Sequence, residues 1–231
     1  MASEPNTGFT LRLNYDKIML DFSLFNSQKI QFMTIYFYGL NTIRLQDGGV
    51  SVLLDPVEET KASLRTQNDL ILLSAKNEEI KKNGSFVINA PGEYEVKGIF
   101  VYAFNPEKEA DKLVYVVEME GMKMAHLGGL KVTDFSEKDL ERLGNADILL
   151  ISVGGENGYT AKQAVNVVNQ FEPRIVVPIN YAIPDLKVKR ESLEVFKKES
   201  GAQFETTDKF KIAKKDLPEE KTHFVIIESF K

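Results

Sequence analysis

The amino-acid sequence predicts an α/β fold in which two mixed β-sheets pack face to face and carry their helices on the outside. Between residues 33 and 126 the chain alternates short β-rich runs with turn residues. After residue 126 the pattern changes to apolar strands that alternate with amphipathic helices, and a last β-rich run closes the chain. Many strands followed by βαβ units are typical of layered sheets with outer helices.

The first half of this pattern is a series of strands joined by tight turns. Asp47-Gly48-Gly49 predicts a hairpin turn, and Glu120-Gly121 predicts a second one. Tyr94 and Glu95 belong to a Pro-Gly-Glu-Tyr-Glu segment that we expect to shape another hairpin. The predicted strands are 34–38, 42–46, 50–54, 68–74, 85–89, 99–104, 113–118 and 122–126.

The second half carries helix start signals between continuous apolar runs. Thr160 followed by Gln163 forms a capping box, and Ser136 followed by Asp139 approximates one. The apolar runs show too little alternation for strands that are exposed on one face. We therefore expect them to be strands that are covered on both faces. The predicted helices are 136–144, 161–171 and 190–200, and the predicted strands are 147–153, 174–179 and 222–228.

Composition excludes several classes of function. The 231 residues include no cysteine, which removes disulfides, thiolate metal sites and thiol nucleophiles together. A net charge of −5 argues against a nucleic-acid backbone as the main partner. No apolar run approaches the ~18 residues needed to span a bilayer, and no secretory signal is visible, so we expect a cytoplasmic protein with no membrane partner.

Residues 1–32 differ from the rest of the chain, because they show no sustained hydrophobic period. We therefore expect an N-terminal extension followed by one domain at 33–231. The extension is interpreted either as a flexible tail or as an arm that assembles a homo-oligomer. No other partner is predicted.

Six segments stand out by their order and spacing: GLNTIRL (39–45), VLLDP (52–56), APGEYEVKG (90–98), HLGG (126–129), ISVGG (151–155) and VPINY (177–181). Together they resemble the metallo-β-lactamase superfamily. More specifically, they resemble the ascorbate-6-phosphate lactonase-like branch of its metal-dependent hydrolases. The resemblance covers about 33–228 and implies a four-layer αββα sandwich that normally holds two metal ions.

The positions that bind metal in that family carry other residues here. A catalytic zinc needs about three N, S or O ligands from the protein. Alanine, isoleucine and glycine have no side-chain donor, and a neutral amide is a weak one. The resemblance therefore implies no metal and no cofactor, and it keeps Asp55 as a former second-shell residue. The former metal-site positions are Ala75, Asn77, Glu79, Ile80, His126, Gly129 and Asn180.

Two parts of the predicted site keep alternative interpretations. His126 is either a relic ligand or general base, with Glu79 and Asn180 as the other candidate catalytic residues, or a buried structural histidine. The glycine-rich loop before the helix at 161 is either an anion-binding loop or a tight strand-to-helix turn. Its residues are Gly154, Gly155, Gly158 and Thr160.

The sequence thus predicts a metallo-β-lactamase-like protein with a degenerate metal site, which works by binding a ligand or partner and not by catalysis. The alternative is a metal-dependent hydrolase of the lactonase or phosphodiesterase type that uses a rearranged site around His126.

Overall fold

Two mixed β-sheets form the body of the protein in the computed structural model, which describes residues 31–57, 60, 65–75, 84–184 and 186–229. The described strands form a six-stranded and an eight-stranded sheet, with helices between the later strands, so the predicted fold class is confirmed. The predicted extension lies almost entirely outside the described residues, and its boundary stays a prediction.

The six-stranded sheet has the order β13-β1-β2-β3-β4-β5. The predicted turn between β2 and β3 is present, and Asp47 Oδ1 accepts the N–H groups of Gly49 at 2.7 Å and Val50 at 2.6 Å. Antiparallel pairing joins β13, β1, β2 and β3, whereas β3, β4 and β5 run parallel. The bounds are β1 Met33–Gly39, β2 Thr42–Gln46, β3 Ser51–Leu54, β4 Leu70–Leu72, β5 Phe86–Ile88 and β13 Phe210–Ile212.

The eight-stranded sheet has the order β12-β14-β11-β10-β9-β8-β7-β6. Strands β9, β10, β11, β14 and β12 run parallel, and β6 to β9 form an antiparallel meander. The bounds are β6 Gly92–Val96, β7 Ile99–Phe104, β8 Val114–Met119, β9 Met122–His126, β10 Ile148–Ser152, β11 Ile175–Ile179, β12 Phe204–Thr207 and β14 His223–Ile227.

Three α-helices in the described part of the chain connect the strands of the second sheet: α1 Glu137–Leu143, α2 Ala161–Phe171 and α3 Leu193–Ser200. The predicted capping box of α2 is present, because Thr160 Oγ1 accepts from Gln163 N and Gln163 Oε1 accepts from Thr160 N. The buried face of α2 includes Ala164, Val167 and Val168, as its apolar spacing predicts. None of the described helices is long and apolar enough to cross a membrane.

The core lies between the two sheets. Met33, Ile35 and Phe37 alternate inward along β1, as expected for a strand with a period of two. Strands β10 and β11 are buried along their whole length, which matches their unbroken apolar sequences. Apolar burial of this kind contributes about 25 cal/mol per Å², and it fixes the strand ends that carry the site.

Strands β12 and β13 were not predicted from the sequence, and β6 was expected only as part of the hairpin around Tyr94 and Glu95, which is present as the β6–β7 pair. Each lies at the edge of a sheet and exposes polar residues, so its apolar alternation is weak. Helix α3 begins at Leu193 and not at residue 190, because Glu191 is held in extended pairing. Its N–H donates to Gly154 O, and its carbonyl accepts from Ala182 N, both at 2.9 Å.

Candidate functional site

A cleft of about 550 Å³ opens where the carboxyl ends of strands from the two sheets meet. Parallel strands end at the same edge, so β3 and β4 bring Asp55 and Ser74 to the cleft while β11 brings Asn180. This is the edge where open α/β sheets commonly bind ligands. The described lining residues are Leu40, Asn41, Asp55, Pro56, Val57, Leu73, Ser74, Ala75, Lys112, Gly129, Glu156, Asn157, Asn180, Val188, Lys189 and Arg190.

His126 lies below the floor of the cleft and pairs with Asp55. The histidine is 0% exposed, and its Nε2 lies 2.9 Å from Asp55 Oδ2. A carboxylate only accepts, so Nε2 carries the proton and donates it to Asp55. The other ring nitrogen, Nδ1, is buried without a hydrogen bond to the described residues. The ring nitrogen that faces the lining residue Asp55 is therefore already used by its carboxylate.

Hydrogen bonds to its side chain and to its backbone carbonyl hold Asp55 in place. Its Oδ1 accepts from Ser74 N at 2.6 Å, and its carbonyl accepts from Thr42 Oγ1 at 2.7 Å. Its backbone is left-handed with a φ of 44°. Only 12% of the side chain is exposed, so the carboxylate mainly serves two buried donors.

Tyr115 anchors the end of β4 next to this pair. Its hydroxyl accepts from Leu73 N at 3.0 Å and lies 2.7 Å from Leu73 O and 2.9 Å from Ile88 O. Burial is the largest cause that raises the pKa of Tyr115, and the negative charge of Asp55 is the next. The hydroxyl therefore stays protonated and can donate. The tyrosine thus positions the strand end from which Ser74 N–H reaches Asp55.

Ser74, His126 and Asp55 lie together but do not form a nucleophilic triad. Ser74 Oγ is buried and makes no hydrogen bond with the described residues, His126 included. A Cβ at Gly128 would lie 2.6 Å from that oxygen, so the hydroxyl points into a tightly packed turn. A serine nucleophile needs a base within hydrogen-bond reach, which this arrangement does not provide.

Asn180, at the end of β11, holds an arginine from the following loop. The amide is fully buried, donates through Nδ2 to Asn157 O at 3.1 Å, and accepts through Oδ1 from Arg190 Nε at 2.7 Å. Its left-handed φ of 56° suits an asparagine. The position that resembles the family's last metal-binding histidine therefore binds a permanent cation of the protein itself.

Arg190 is a site residue that was not predicted from the sequence, where it was only the first residue of the helix expected at 190–200. Its Nη1 donates to Lys189 O at 2.7 Å and lies 3.7 Å from Glu156 Oε2. Only 9% of its side chain is exposed. A signal was present in the two cations that follow Asn180 by nine and ten residues, but no local pattern places them in the cleft.

The other predicted metal positions offer no donor in the described part of the chain. Ala75 and Gly129 both line the cleft, and a Cβ at Gly129 would lie 3.1 Å from Asn157 O. Asn77, Glu79 and Ile80 lie outside the described residues, so their place in the site stays a prediction. No group of three or more His, Cys, Asp or Glu side chains suited to a metal ion occurs among the residues described.

The glycine-rich loop uses its N–H groups internally. Gly155 N donates to Tyr159 O at 2.9 Å, Tyr159 N donates to Ser152 Oγ at 3.1 Å, and Thr160 N donates to Gln163 Oε1 at 3.0 Å. A Cβ at Gly158 would lie 2.2 Å from Ser152 Oγ. These contacts favour the tight-turn interpretation, because the N–H groups of Gly155, Tyr159 and Thr160 are used within the loop and its helix cap.

The fold and cleft define a metallo-β-lactamase-like protein, and the chain belongs to the β-lactamase superfamily: the model of the β-lactamase superfamily domain matches residues 34–180. The predicted resemblance to this superfamily is confirmed, whereas the lactonase-like branch stays a prediction.

Two relatives and one solved structure illustrate what this chain is similar to. A UPF0173 protein of Pyrococcus abyssi is 26% identical over 179 residues, which are 64% of this chain and 83% of that protein. The UPF0173 metal-dependent hydrolase of Thermococcus onnurineus is 36% identical over 67 residues, 29% of this chain and 30% of that protein. A Thermotoga maritima crystal structure, assigned to the Zn-dependent hydrolases of the metallo-β-lactamase superfamily, superposes with a TM-score of 0.69 at 24% identity. It covers 85% of this chain and 100% of that chain.

Proposed function

We propose that this protein is a metallo-β-lactamase-fold protein whose cleft binds a small-molecule ligand without a two-metal centre. The observation that carries the proposal is the pairing of the two polar metal positions in the described part of the chain with other protein groups. His126 donates to Asp55, and Asn180 accepts from Arg190. A cleft of about 550 Å³ lies within the ~300–1,000 Å³ range of small-molecule sites.

The described donors do not fit a zinc centre. Zinc would have to take His126 Nε2 from Asp55 and Asn180 Oδ1 from a guanidinium that already holds it at 2.7 Å. A divalent cation beside Arg190 would also meet strong repulsion, because like charges a few Å apart interact strongly at the low effective dielectric of a cleft. We therefore derive no chemical step through a metal.

The groups that remain in the cleft are suited to binding and orientation. Side chains of Asn41, Asn157 and Lys189 line it together with the apolar Leu40 and Val188. No described serine or histidine is placed as an activated nucleophile or base at this surface. The protein thus holds a ligand by charge and hydrogen bonding.

The second candidate is a metal-dependent hydrolase that uses His126, Glu79 and Asn180. Its support is the similarity to the UPF0173 metal-dependent hydrolase of Thermococcus onnurineus. It requires Glu79 to complete a ligand set around His126, and it requires Arg190 to leave Asn180. The proposal and this candidate make opposite predictions about zinc.

Metal stoichiometry tests the proposal. The purified full chain is incubated with excess zinc, or with manganese, and passed through a desalting column, and bound metal is measured by inductively coupled plasma mass spectrometry. We expect far less than one metal ion per chain, with no change when His126→Ala is introduced. The matched control is His223→Ala, since His223 begins β14 with an exposed side chain and lines no part of the described cleft. One or two tightly held ions per chain, lost in His126→Ala but kept in His223→Ala, would overturn the proposal in favour of the hydrolase.

A further inference from the structure

We propose that Arg190, with Lys189 and Lys112, forms an oxyanion site that holds a carboxylate or phosphate group of the ligand in the cleft. This inference rests on the proposed function. The cation of the protein then occupies the place where the fold family uses a metal ion. This inference names the ligand class, which the proposed function leaves open.

Arg190 is held in place before any ligand arrives. Asn180 Oδ1 fixes its Nε, and the carbonyl of Lys189 fixes one Nη1 hydrogen. The backbone next to it is clamped, because Glu191 pairs with both Gly154 and Ala182. A guanidinium fixed in this way loses little side-chain entropy on binding, which favours the bidentate fork that matches carboxylate and phosphate oxygens.

The guanidinium keeps donors for a ligand. Its Nη2 makes no hydrogen bond with the described residues, and its contact with Glu156 Oε2 is 3.7 Å, beyond hydrogen-bond distance. The Glu156 side chain is 61% exposed, so water and salt screen this pair and it is worth little. An oxyanion can therefore replace Glu156 at Arg190 without leaving a buried carboxylate unpaired.

Asp55 makes no ion pair with the three described cations of the cleft. Both of its oxygens already accept hydrogen bonds, one from Ser74 N and one from His126 Nε2. The site therefore differs from a surface ion-pair network, in which every acid would pair with a base.

The two lysines come from separate loops and add positive charge. Lys189 Nζ makes no ion pair with the described residues, and Lys112 Nζ has only a loose contact with its neighbour Asp111 at 3.8 Å. The backbone of Lys112 is fixed, because its carbonyl accepts from Asn105 Nδ2 at 2.6 Å. The lining thus carries three cations and two acids in a chain whose net charge is −5, which makes the cleft a local positive feature of an acidic protein.

The test is a titration of the full, metal-free chain with inorganic phosphate and, separately, with acetate, at constant ionic strength set with sodium chloride. Binding is followed by the amide shifts in ¹H–¹⁵N correlation spectra. We expect saturable shifts at Asn157, Asn180 and Lys189 with one or both anions. A larger response to phosphate would assign a phosphate-bearing ligand, and a larger response to acetate would assign a carboxylate. Glycerol, which is neutral, should produce none.

Three variants separate the roles of charge and geometry. Arg190→Gln should raise the dissociation constant about tenfold or more, because it removes a charge-assisted fork. Arg190→Lys keeps the charge and should recover only part of the affinity, while Lys112→Gln should weaken binding without disturbing Asn180. The matched control Arg174→Gln loses the same charge at the opposite end of β11, where Arg174 is half exposed, and should bind as the wild type does.

The outcomes distinguish this inference from the proposed function. Unchanged affinity in both Arg190→Gln and Lys112→Gln, or no saturable shift with either anion, would overturn the oxyanion site while leaving the absence of metal intact. Tight zinc binding lost in His126→Ala would instead overturn the proposed function. Retained spectral dispersion in each variant shows that its effect is on binding and not on folding.

Discussion

Replacing Asp55 by asparagine tests the buried pair on which the site depends. Asparagine tolerates the left-handed backbone at 55 as well as aspartate does, so the change isolates the carboxylate. Its Oδ1 can still accept from Ser74 N. Its Nδ2, however, faces the N–H of His126 Nε2 across 2.9 Å, and two donors cannot pair.

The magnitude follows from the burial of the ring. His126 can accept from the new amide only if its proton moves to Nδ1, where no described residue offers an acceptor. In either tautomer one buried N–H is left unpaired, which costs about 1–3 kcal/mol. We therefore expect Asp55→Asn to lower the free energy of unfolding by about 2 kcal/mol. In a domain of this size the melting temperature should fall by roughly 4–8 °C.

The assay is urea unfolding followed by far-ultraviolet circular dichroism in a double-mutant cycle with His126→Leu. In the His126→Leu background no ring N–H remains to be orphaned, so Asp55→Asn should cost less than about 0.5 kcal/mol there. If Asp55→Asn costs the same in both backgrounds, the two side chains are not coupled and the assigned pair is wrong.

Three further predictions follow from residues outside the cleft. Burial is the largest cause that raises the pKa of Glu120 above its ordinary 4.5, and the charge of Asp47 is the next. Because the folded state then disfavours the ionised carboxylate, stability is lost as pH rises through that pKa. Glu120→Gln should therefore raise the melting temperature at pH 7 and not at pH 4, and an equal effect at both would contradict this sign. Burial alone would raise the pKa of Asp69, but hydrogen bonds from a lysine and a serine outweigh it and lower the pKa below 3.8. Asp69→Asn should thus destabilise at pH 7, and its effect should shrink as pH falls through the lowered pKa of Asp69. An effect of the same size at pH 7 and in the most acidic buffer in which the protein stays folded would refute the linkage. Gly158→Ala places a Cβ 2.2 Å from the buried Ser152 Oγ and should cost about 1–3 kcal/mol in a urea melt, with a neutral result counting against the packing of this loop.

The central part of the fold could be predicted because its signals are local. Continuous apolar runs and capping residues locate β10, α2 and β11, and the turn at 47–49 fixes the register of β2 on β3. Strands β12 and β13 could not be predicted, since their residues face water on one side and their pairing partners are distant in sequence. Strand β13, for example, pairs with β1 across most of the chain length.

The candidate site, like the fold, could be predicted only in part. The resemblance identified His126, Asp55 and Asn180 as positions of one cleft, and the structure describes all three beside it. The hydrogen bond between Asn180 and Arg190 could not be foreseen, because it depends on the extended pairing of Glu191 with Gly154, which delays the start of α3. Sequence periodicity alone assigns that stretch to a helix.

The most direct test of the central claim is a zinc-edge anomalous difference map from crystals of the full chain grown with zinc and phosphate. We expect no anomalous peak between His126 and Asn180, and tetrahedral density beside Arg190. Two anomalous peaks about 3.5–4 Å apart at that position, the spacing of a two-metal site, would contradict it.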